Sequence, residues 1–222
     1  SFLFTGSLDL VHTMAYKGMN IFPGYDANLP TQLWIADRYL QSISFLIAPI
    51  FLRRKLKINL TFIGYSGVFF FILVSTLYWE NFPVCFVQGV GLTSFKVISE
   101  YIISLILVGS IVLLYLNRDE FDTDILRLLV LSIVMGIGTE LAFTFYIDVY
   151  GLSNLVGHFF KILSFYLIYQ AIIQTGIKNP FDLLFRNLKK SEEALRKSHS
   201  ELERRVQERT TELSDANTML QN

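Results

Sequence analysis

Residues 94–116, SFKVISEYIISLILVGSIVLLYL, form a long apolar run in which only Lys96 and Glu100 are ionisable. About 20 mainly apolar residues, at roughly 1.5 Å of helical rise each, cross the ~30 Å hydrocarbon core of a bilayer. A lone strand would leave its backbone N–H and C=O groups unpaired in lipid. The run therefore predicts a membrane-spanning α-helix.

Five further apolar segments accompany this run, separated by turn-forming residues. One ends near Met14, and the others cover about 31–52, 58–79, 123–146 and 153–175. Pro49 should kink the helix of 31–52, because proline cannot continue the helical hydrogen bonding. The chain opens with Ser1 inside an apolar segment, and we interpret both ends as cuts in a longer protein. The pattern predicts an all-α, polytopic transmembrane helix bundle of about six spans.

The composition favours a membrane protein over a soluble one. Of 222 residues, 52% are hydrophobic and 17% are charged, whereas soluble domains carry about 25% charged residues. Nineteen basic residues balance 19 acidic ones, so no general affinity for nucleic acid is implied. The single cysteine, Cys85, excludes an internal disulfide and a multi-cysteine metal site. The sequence contains no P-loop, GxGxxG, GxSxG or HExxH motif, and we predict no catalytic residue in it.

Basic residues near the loops predict the orientation, because Lys and Arg in short loops stay on the cytoplasmic side. One predicted side carries Arg53, Arg54, Lys55, Lys57, Arg118 and Arg127, whereas the other carries only Lys17 and Lys96 near its loops. We therefore expect a multi-pass protein of the inner (cytoplasmic) membrane. Residue 55 and the C-terminus should be cytoplasmic, and Cys85 should lie outside.

The chain divides at about residue 176 into a membrane body, 1–176, and a charged tail, 177–222. The body holds 10 Lys/Arg and 11 Asp/Glu, and the much shorter tail holds 9 and 8. An unbroken heptad register runs through the tail, with Phe185, Glu192, His199, Val206, Leu213 and Leu220 at position a, and Phe181, Leu188, Leu195, Leu202, Arg209 and Ala216 at position d. Such a repeat predicts a cytoplasmic parallel coiled coil that makes the protein a homodimer. A single solvated helix is the alternative.

Polar side chains in the spans lie at one depth near the predicted outer face. Because ionisable groups are costly in lipid, they are usually paired or functional. The candidate ligand-binding or sensing set is Asp9, His12, Tyr16, Lys17, Arg38, Glu100, Glu140, His158 and Lys161. Two interpretations stay open, a structural salt-bridge network between the helices and a pocket for a small ligand of unknown identity.

His12 and His158 support a narrower hypothesis. Two imidazoles on different helices at similar depth could ligate a haem iron. A hydrogen bond to a neighbour, such as Asp9 for His12, is the alternative. We predict no zinc site, because the histidines have no third ligand at zinc spacing.

Three segments carry a resemblance to a known family. They are residues 8–19 (LDLVHTMAYKGM), residues 31–40 (TQLWIADRYL), and residues 157–161 (GHFFK) followed by 164–166 (SFY). They resemble the signatures of the third family of bacterial and archaeal membrane-associated sensor (MASE) domains. Asp37 stands where this family more often has a small residue, so we leave it out of the candidate set.

The resemblance implies an input module for signal transduction. It implies a cytoplasmic output domain beyond Asn222, commonly the histidine kinase of a two-component system with its response regulator, or else PAS or diguanylate cyclase modules. Residues 203–213, ERRVQERTTEL, are similar to linkers that precede such domains. A b-type cytochrome-like protein and a transporter are the alternative classes, although we find no internal repeats or paired broken helices of the kind that transporters show.

Overall fold

The computed structural model describes residues 1–51, 56–144, 152–174 and 176 of the membrane body, and residues 188, 189, 191–193, 195–207 and 209 of the tail; of residue 154 it describes only the backbone. The chain forms two compact units, Ser1–Ala171 and Ile172–Asn222. The basic residues Arg53, Arg54 and Lys55, on which the predicted orientation depends, lie outside the described residues.

One α-helix of the membrane body corresponds to each predicted segment. The helices are α1 (Phe2–Met14), α2 (Asn28–Ile47), α3 (Ile58–Leu73), α4 (Ser94–Leu116), α5 (Thr123–Thr144) and α6 (Leu152–Ile173). A π-helical turn, Val74–Tyr78, extends α3, and a 3-10 turn, Ala48–Phe51, follows α2 where Pro49 interrupts it. Between α3 and α4, the short strands β1 (Phe86–Val87) and β2 (Gly91–Leu92) pair antiparallel. The predicted all-α fold is confirmed.

In the part of the chain that the structure describes, four helical segments are long and apolar enough to cross a membrane. They are Ile58–Tyr78, Ser94–Leu116, Thr123–Thr144 and Leu155–Ile173. α1 has only 13 residues, and α2 has 20 but includes Asp37 and Arg38 among them. The polytopic membrane class is therefore confirmed, while the number of six spans stays a prediction.

The helices expose apolar side chains and bury polar ones. Ile58 and Phe70 of α3 and Leu105 of α4 are exposed, whereas Glu100 and Ser110 on the other side of α4 are buried. A protein dissolved in water keeps its charges outside and limits its exposed apolar area. The opposite arrangement, with apolar side chains outside and polar ones inside, is typical of a helix bundle surrounded by lipid.

α2 is the central helix of the bundle. It packs against α1 on one side and α4 on another, and α4 packs in turn against α5. Leu8 and Leu33 belong to a buried apolar cluster between α1 and α2, and Ile35, Ile103 and Ile133 belong to a second cluster shared by α2, α4 and α5. Because both clusters include side chains of α2, this helix holds its polar residues in fixed positions against its neighbours.

The described residues of the tail are helical. Leu195 and Leu202 at heptad position d are 72% and 61% exposed. Along the helix, Arg205 pairs with Glu201 one turn earlier at 2.7 Å. Five of the predicted seam residues lie outside the described part of the tail: Phe181, Phe185, Leu213, Ala216 and Leu220. The coiled coil stays a prediction.

The loop that leads to β1 is fastened to the start of α2. Asn28 Oδ1 accepts hydrogen bonds from the backbone N–H of Cys85 at 2.8 Å and of Phe86 at 3.0 Å. The Gln32 side chain donates to the carbonyl of Phe82 at 2.8 Å. Cys85 is fully buried, and this burial raises the pKa of its thiol to about 12. Because the thiolate is the reactive form, Cys85 is a poor reporter of its side of the membrane.

We expect a membrane-impermeant maleimide to leave native Cys85 unlabelled until the protein is unfolded. Val90 is 82% exposed in the turn between β1 and β2 and offers a better probe. Val90→Cys in a Cys85→Ser background should be labelled from outside, and Lys55→Cys in the same background only from the cytoplasm. Rapid labelling of native Cys85 would contradict its burial, and labelling of Val90→Cys from the cytoplasm alone would overturn the orientation.

Candidate functional site

An ion cluster joins the first, second and last helices of the membrane body. Arg38 of α2 places Nη2 3.4 Å from each carboxylate oxygen of Asp9 on α1, and Lys161 of α6 donates from Nζ to the same carboxylate. Arg38 also contacts the carboxylate of Asp37 and donates from Nη1 to Gln41 Oε1. Buried charges are costly without partners, so these contacts hold α1, α2 and α6 together at one level.

Trp34 lies against both cations of the cluster. The centroid of its indole ring is 4.8 Å from Arg38 Cζ and 4.3 Å from Lys161 Nζ, within the range of cation–π attraction. Trp34 precedes Arg38 by four residues, which puts both on one face of α2. The candidate set omits Trp34, although this spacing from Arg38 is a signal present in the sequence.

A second buried ion pair, Lys96 with Glu100, spans one turn at the start of α4. Lys96 Nζ also donates to the carbonyl of Phe143 at 3.0 Å, and Thr144 Oγ1 donates to Glu100 Oε2 at 3.1 Å. The pair therefore fastens α4 to the end of α5. Lys96 is not the loop charge that the sequence suggests, because it is buried within the first helical turn.

His12 and His158 line one small cavity, which we call the terminal cavity because its walls come from helix ends predicted to face outward. Its volume is about 30 Å³, and its other walls are Tyr16, Thr31, Trp34, Lys96 and Phe143. His12 Nδ1 donates to the carbonyl of Pro30 at 2.7 Å. The expected hydrogen bond from His12 to Asp9 is therefore replaced by one to the backbone, and Asp9 pairs with the two cations instead.

The arrangement of the histidines does not suit a haem. The indole of Trp34 packs against both imidazoles, with ring centroids 5.4 Å from His12 and 6.1 Å from His158. Phe143 adds a further ring 5.3 Å from His158. A volume of about 30 Å³ holds one or two waters, and a porphyrin would have to displace these aromatic side chains.

A second cavity, the central cavity, lies deeper in the bundle at the middle of the helices. It has a volume of about 20 Å³, and its polar walls include Arg38, Gln41, Ser132, Thr139, Glu140, Lys161 and Ser164. Trp34 lines the terminal cavity, and its ring contacts two cations that line the central one. The indole of Trp34 therefore lies between the terminal cavity and the two cations that line the central cavity.

Buried polar atoms without a hydrogen-bond partner concentrate at this site. In the described residues they are His12 Nε2, Trp34 Nε1, Asp37 Oδ1, Arg38 Nε, Ser104 Oγ and Glu140 Oε2. All but Ser104 belong to the ion cluster or to the walls of the two cavities. Since buried polar groups in native proteins are nearly always hydrogen-bonded, this set points to a site that accommodates a small polar species or a second arrangement of its own side chains.

The structure places most of the candidate set in or beside the two cavities: Asp9, His12, Tyr16, Arg38, Glu100, Glu140, His158 and Lys161. Lys17 is not brought to this site, because it lies exposed in the 3-10 turn Lys17–Met19 after α1. Asp37 belongs with the set, since it is fully buried and contacts Arg38. Among the described residues, no three His, Cys, Asp or Glu side chains are grouped as metal ligands.

α6 approaches α5 closely at a glycine. A Cβ atom on Gly157 would lie 2.7 Å from Phe143 Cζ, so a larger residue there would have to displace the Phe143 ring. Two turns further along α6, Ser164 Oγ donates to the carbonyl of Ser132 at 2.8 Å. The segment 157–161 thus places its glycine against a wall of the terminal cavity and its lysine in the ion cluster.

Together these features define a polytopic membrane protein in which α1, α2 and α6 meet at a buried polar centre. We use this name for the ion cluster, the Lys96–Glu100 pair and the residues that line the two cavities. A family model described as a membrane-associated sensor domain, MASE3, matches residues 1–180. The chain belongs to this family, and the family suggested by the sequence is confirmed. No curated protein and no solved structure matches the chain.

We expect Asp9→Asn to destabilise the folded bundle by about 2–4 kcal/mol. Breaking a buried ion pair costs roughly 3–5 kcal/mol, and Asp9 keeps a side-chain exposure of 18%. Asp119→Asn is the control, because its pair with Arg118 is exposed on both sides and is worth about 0–1 kcal/mol. Unfolding titrations in mixed micelles measure both variants, and equal losses would contradict a stabilising role for the cluster.

Proposed function

We propose that this membrane sensor domain is the input module of a sensor histidine kinase and that its polar centre is the sensing site. The observation that carries the proposal is the position of α6. This helix contributes Lys161 to the ion cluster and His158 to the terminal cavity, and the chain continues from it into the charged tail. Any change at the polar centre therefore acts on the segment that leads to the output domain.

The cavities support a sensing role in addition to a structural one. A salt-bridge network that served packing alone would be expected to satisfy its polar atoms. Here Arg38 Nε, Asp37 Oδ1 and Glu140 Oε2 have no partner. A ligand shifts an equilibrium only by binding two arrangements with different affinity, and unpartnered groups beside free volume provide such a difference.

We further propose that α6 transmits the signal by a small rotation or axial shift to a homodimeric tail. The exposed Leu195 and Leu202 repeat at heptad spacing, and a second copy of this chain would cover them. Small movements of a membrane helix can change the register or the stability of an adjoining coiled coil. Residues 203–213 are similar to linkers that precede kinase and cyclase domains. This similarity supports an output domain after the tail, which we propose to be a histidine kinase with a response regulator as its partner.

The proposed location is the inner membrane with the tail in the cytoplasm. The support is the loop charge asymmetry, in which Arg53, Arg54 and Lys55 lie on the same predicted side as the tail. The cytochrome alternative has no observation in its favour, since the terminal cavity is too small for a porphyrin. The sequence that follows residue 222 in the parent gene decides between a kinase and a diguanylate cyclase.

In the full-length protein, His12→Ala, Arg38→Ala, His158→Ala and Lys161→Ala should each hold the output at one level. We expect the stimulus-dependent change in kinase activity to be at least about fivefold smaller than in the parent protein. A factor of about five is the lower end of typical allosteric coupling. Autophosphorylation in membrane vesicles measures the response. Leu105→Ala is the control, because Leu105 lies on α4 and is exposed to lipid. If every polar variant that inserts responds as the parent does, the polar centre is structural and not a sensor.

Cysteine cross-linking tests the proposed dimer. In a Cys85→Ser background, Leu195→Cys and Leu202→Cys should form disulfides between chains, because position d side chains meet across a parallel seam. Arg196→Cys and Glu203→Cys, one residue further on, should cross-link poorly. Equal cross-linking at all four positions, measured by non-reducing electrophoresis of membranes, would rule out the heptad register.

A further inference from the structure

Glu140 is the one carboxylate of the described polar centre without a cation in contact. Asp9 contacts Lys161 and Arg38, Asp37 contacts Arg38, and Glu100 contacts Lys96. Glu140 is 2% exposed, and its Oε2 has no hydrogen-bond partner. An isolated ionised carboxylate is very costly in a low-dielectric interior, and such groups take up a proton instead.

The charges around Glu140 come from every helix that packs at this level. Among the described residues they are Asp9 and His12 of α1, Asp37 and Arg38 of α2, Lys96 and Glu100 of α4, and His158 and Lys161 of α6. With the histidines neutral, the four carboxylates, Glu140 included, exceed the three cations by one. A single proton on Glu140 therefore makes the centre neutral.

Arg38 and Glu140 both line the central cavity. Its Nε has no partner, and its 3.4 Å contacts with Asp9 are longer than an ideal charge-assisted hydrogen bond. The cavity of about 20 Å³ is free volume beside the guanidinium, about the size of one water. If Glu140 is ionised it attracts Arg38, and Asp9 is then left with Lys161.

We propose that Glu140 is the proton-binding residue of the sensor domain and that the loss of its proton to water draws Arg38 away from Asp9. The proton is thus the ligand, and Arg38 exchanges between two carboxylates on different helices. When Glu140 is protonated, Arg38 links α1 to α2, and when it is ionised, Arg38 links α2 to α5. This inference names the stimulus for the sensing site proposed above and so rests on that function.

Trp34 provides a direct probe of this exchange, because Arg38 lies against its ring. Trp79 is the only other tryptophan and is exposed, so Trp79→Phe leaves Trp34 as the sole indole. We expect the emission of the chain in lipid nanodiscs to shift as the pH is raised. Glu140→Gln, which mimics the protonated form, should abolish the shift and keep the low-pH spectrum at every pH.

A matched variant separates Glu140 from Glu100. Glu100→Gln keeps Glu140 and the contacts of Arg38, and it should retain the shift with a changed midpoint, because it removes a charge that acts on Glu140. If Glu140→Gln does not fold, Glu140→Asp keeps a carboxyl in a shorter side chain and should move the midpoint of the shift along the pH scale. A shift that persists in Glu140→Gln, an unmoved midpoint in Glu140→Asp, or the absence of any shift in the parent would overturn the proposal.

Infrared difference spectra of the same samples supply a second reading. The carbonyl band of a protonated carboxyl group should be present in the parent at low pH, disappear as the pH is raised, and be missing in Glu140→Gln. An identical band change in Glu140→Gln would show that another group takes the proton and would refute the assignment. Neither measurement uses an output domain, so a failure here is distinguishable from a failure of the proposed signalling function.

Discussion

One carboxylate on α1, that of Asp9, holds two cations that belong to two other helices. Arg38 approaches it from α2 and Lys161 from α6. In the interior of a membrane protein, the attraction between opposite charges is much stronger than in water, and so is the cost of leaving any of them alone. Asp9 therefore links α1 to both α2 and α6, in addition to the apolar packing of α1 against α2.

The aromatic residues around this centre determine the shape of the space beside the ion cluster. Trp34 offers its face to Arg38 and Lys161 and packs against Phe143, whose ring centroid is 4.7 Å away. Rings are rigid and fill space, so they keep the terminal and central cavities small and apart. Cavities of about 20 and 30 Å³ have room for water-sized species only.

The sequence is sufficient to predict the helices because each apolar segment is long and the turn residues between the segments are clear. The depth of the polar layer also follows from counting residues along each helix, and this brings Asp9, Arg38 and Lys161 together correctly. The pairings do not follow from counting, since they depend on the rotation of each helix about its axis. Lys96 illustrates this, because its position near a helix end indicates a loop residue, whereas its side chain turns inward to Glu100 and the backbone of α5.

Other features escape sequence reasoning for separate physical reasons. The hydrogen bond from His12 to the carbonyl of Pro30 involves a backbone atom, and no pattern of side chains records it. The sequence also does not reveal which cation compensates for the charge of Asp37, because that depends on how its side chain is turned towards Arg38. Lys17 shares a signature segment with His12, yet α1 ends at Met14 and leaves Lys17 in a turn at the surface.

The contact between Gly157 and Phe143 has a mechanical consequence. Packed helices usually interlock because side-chain ridges of one fit into grooves of the other, and sliding then requires the ridges to climb over each other. At Gly157 the missing side chain leaves a notch in the surface of α6, and the ring of Phe143 on α5 fills it. The ring and the notch interlock, so any displacement of α6 at this level has to displace Phe143 as well, one turn before Lys161 on the same helix.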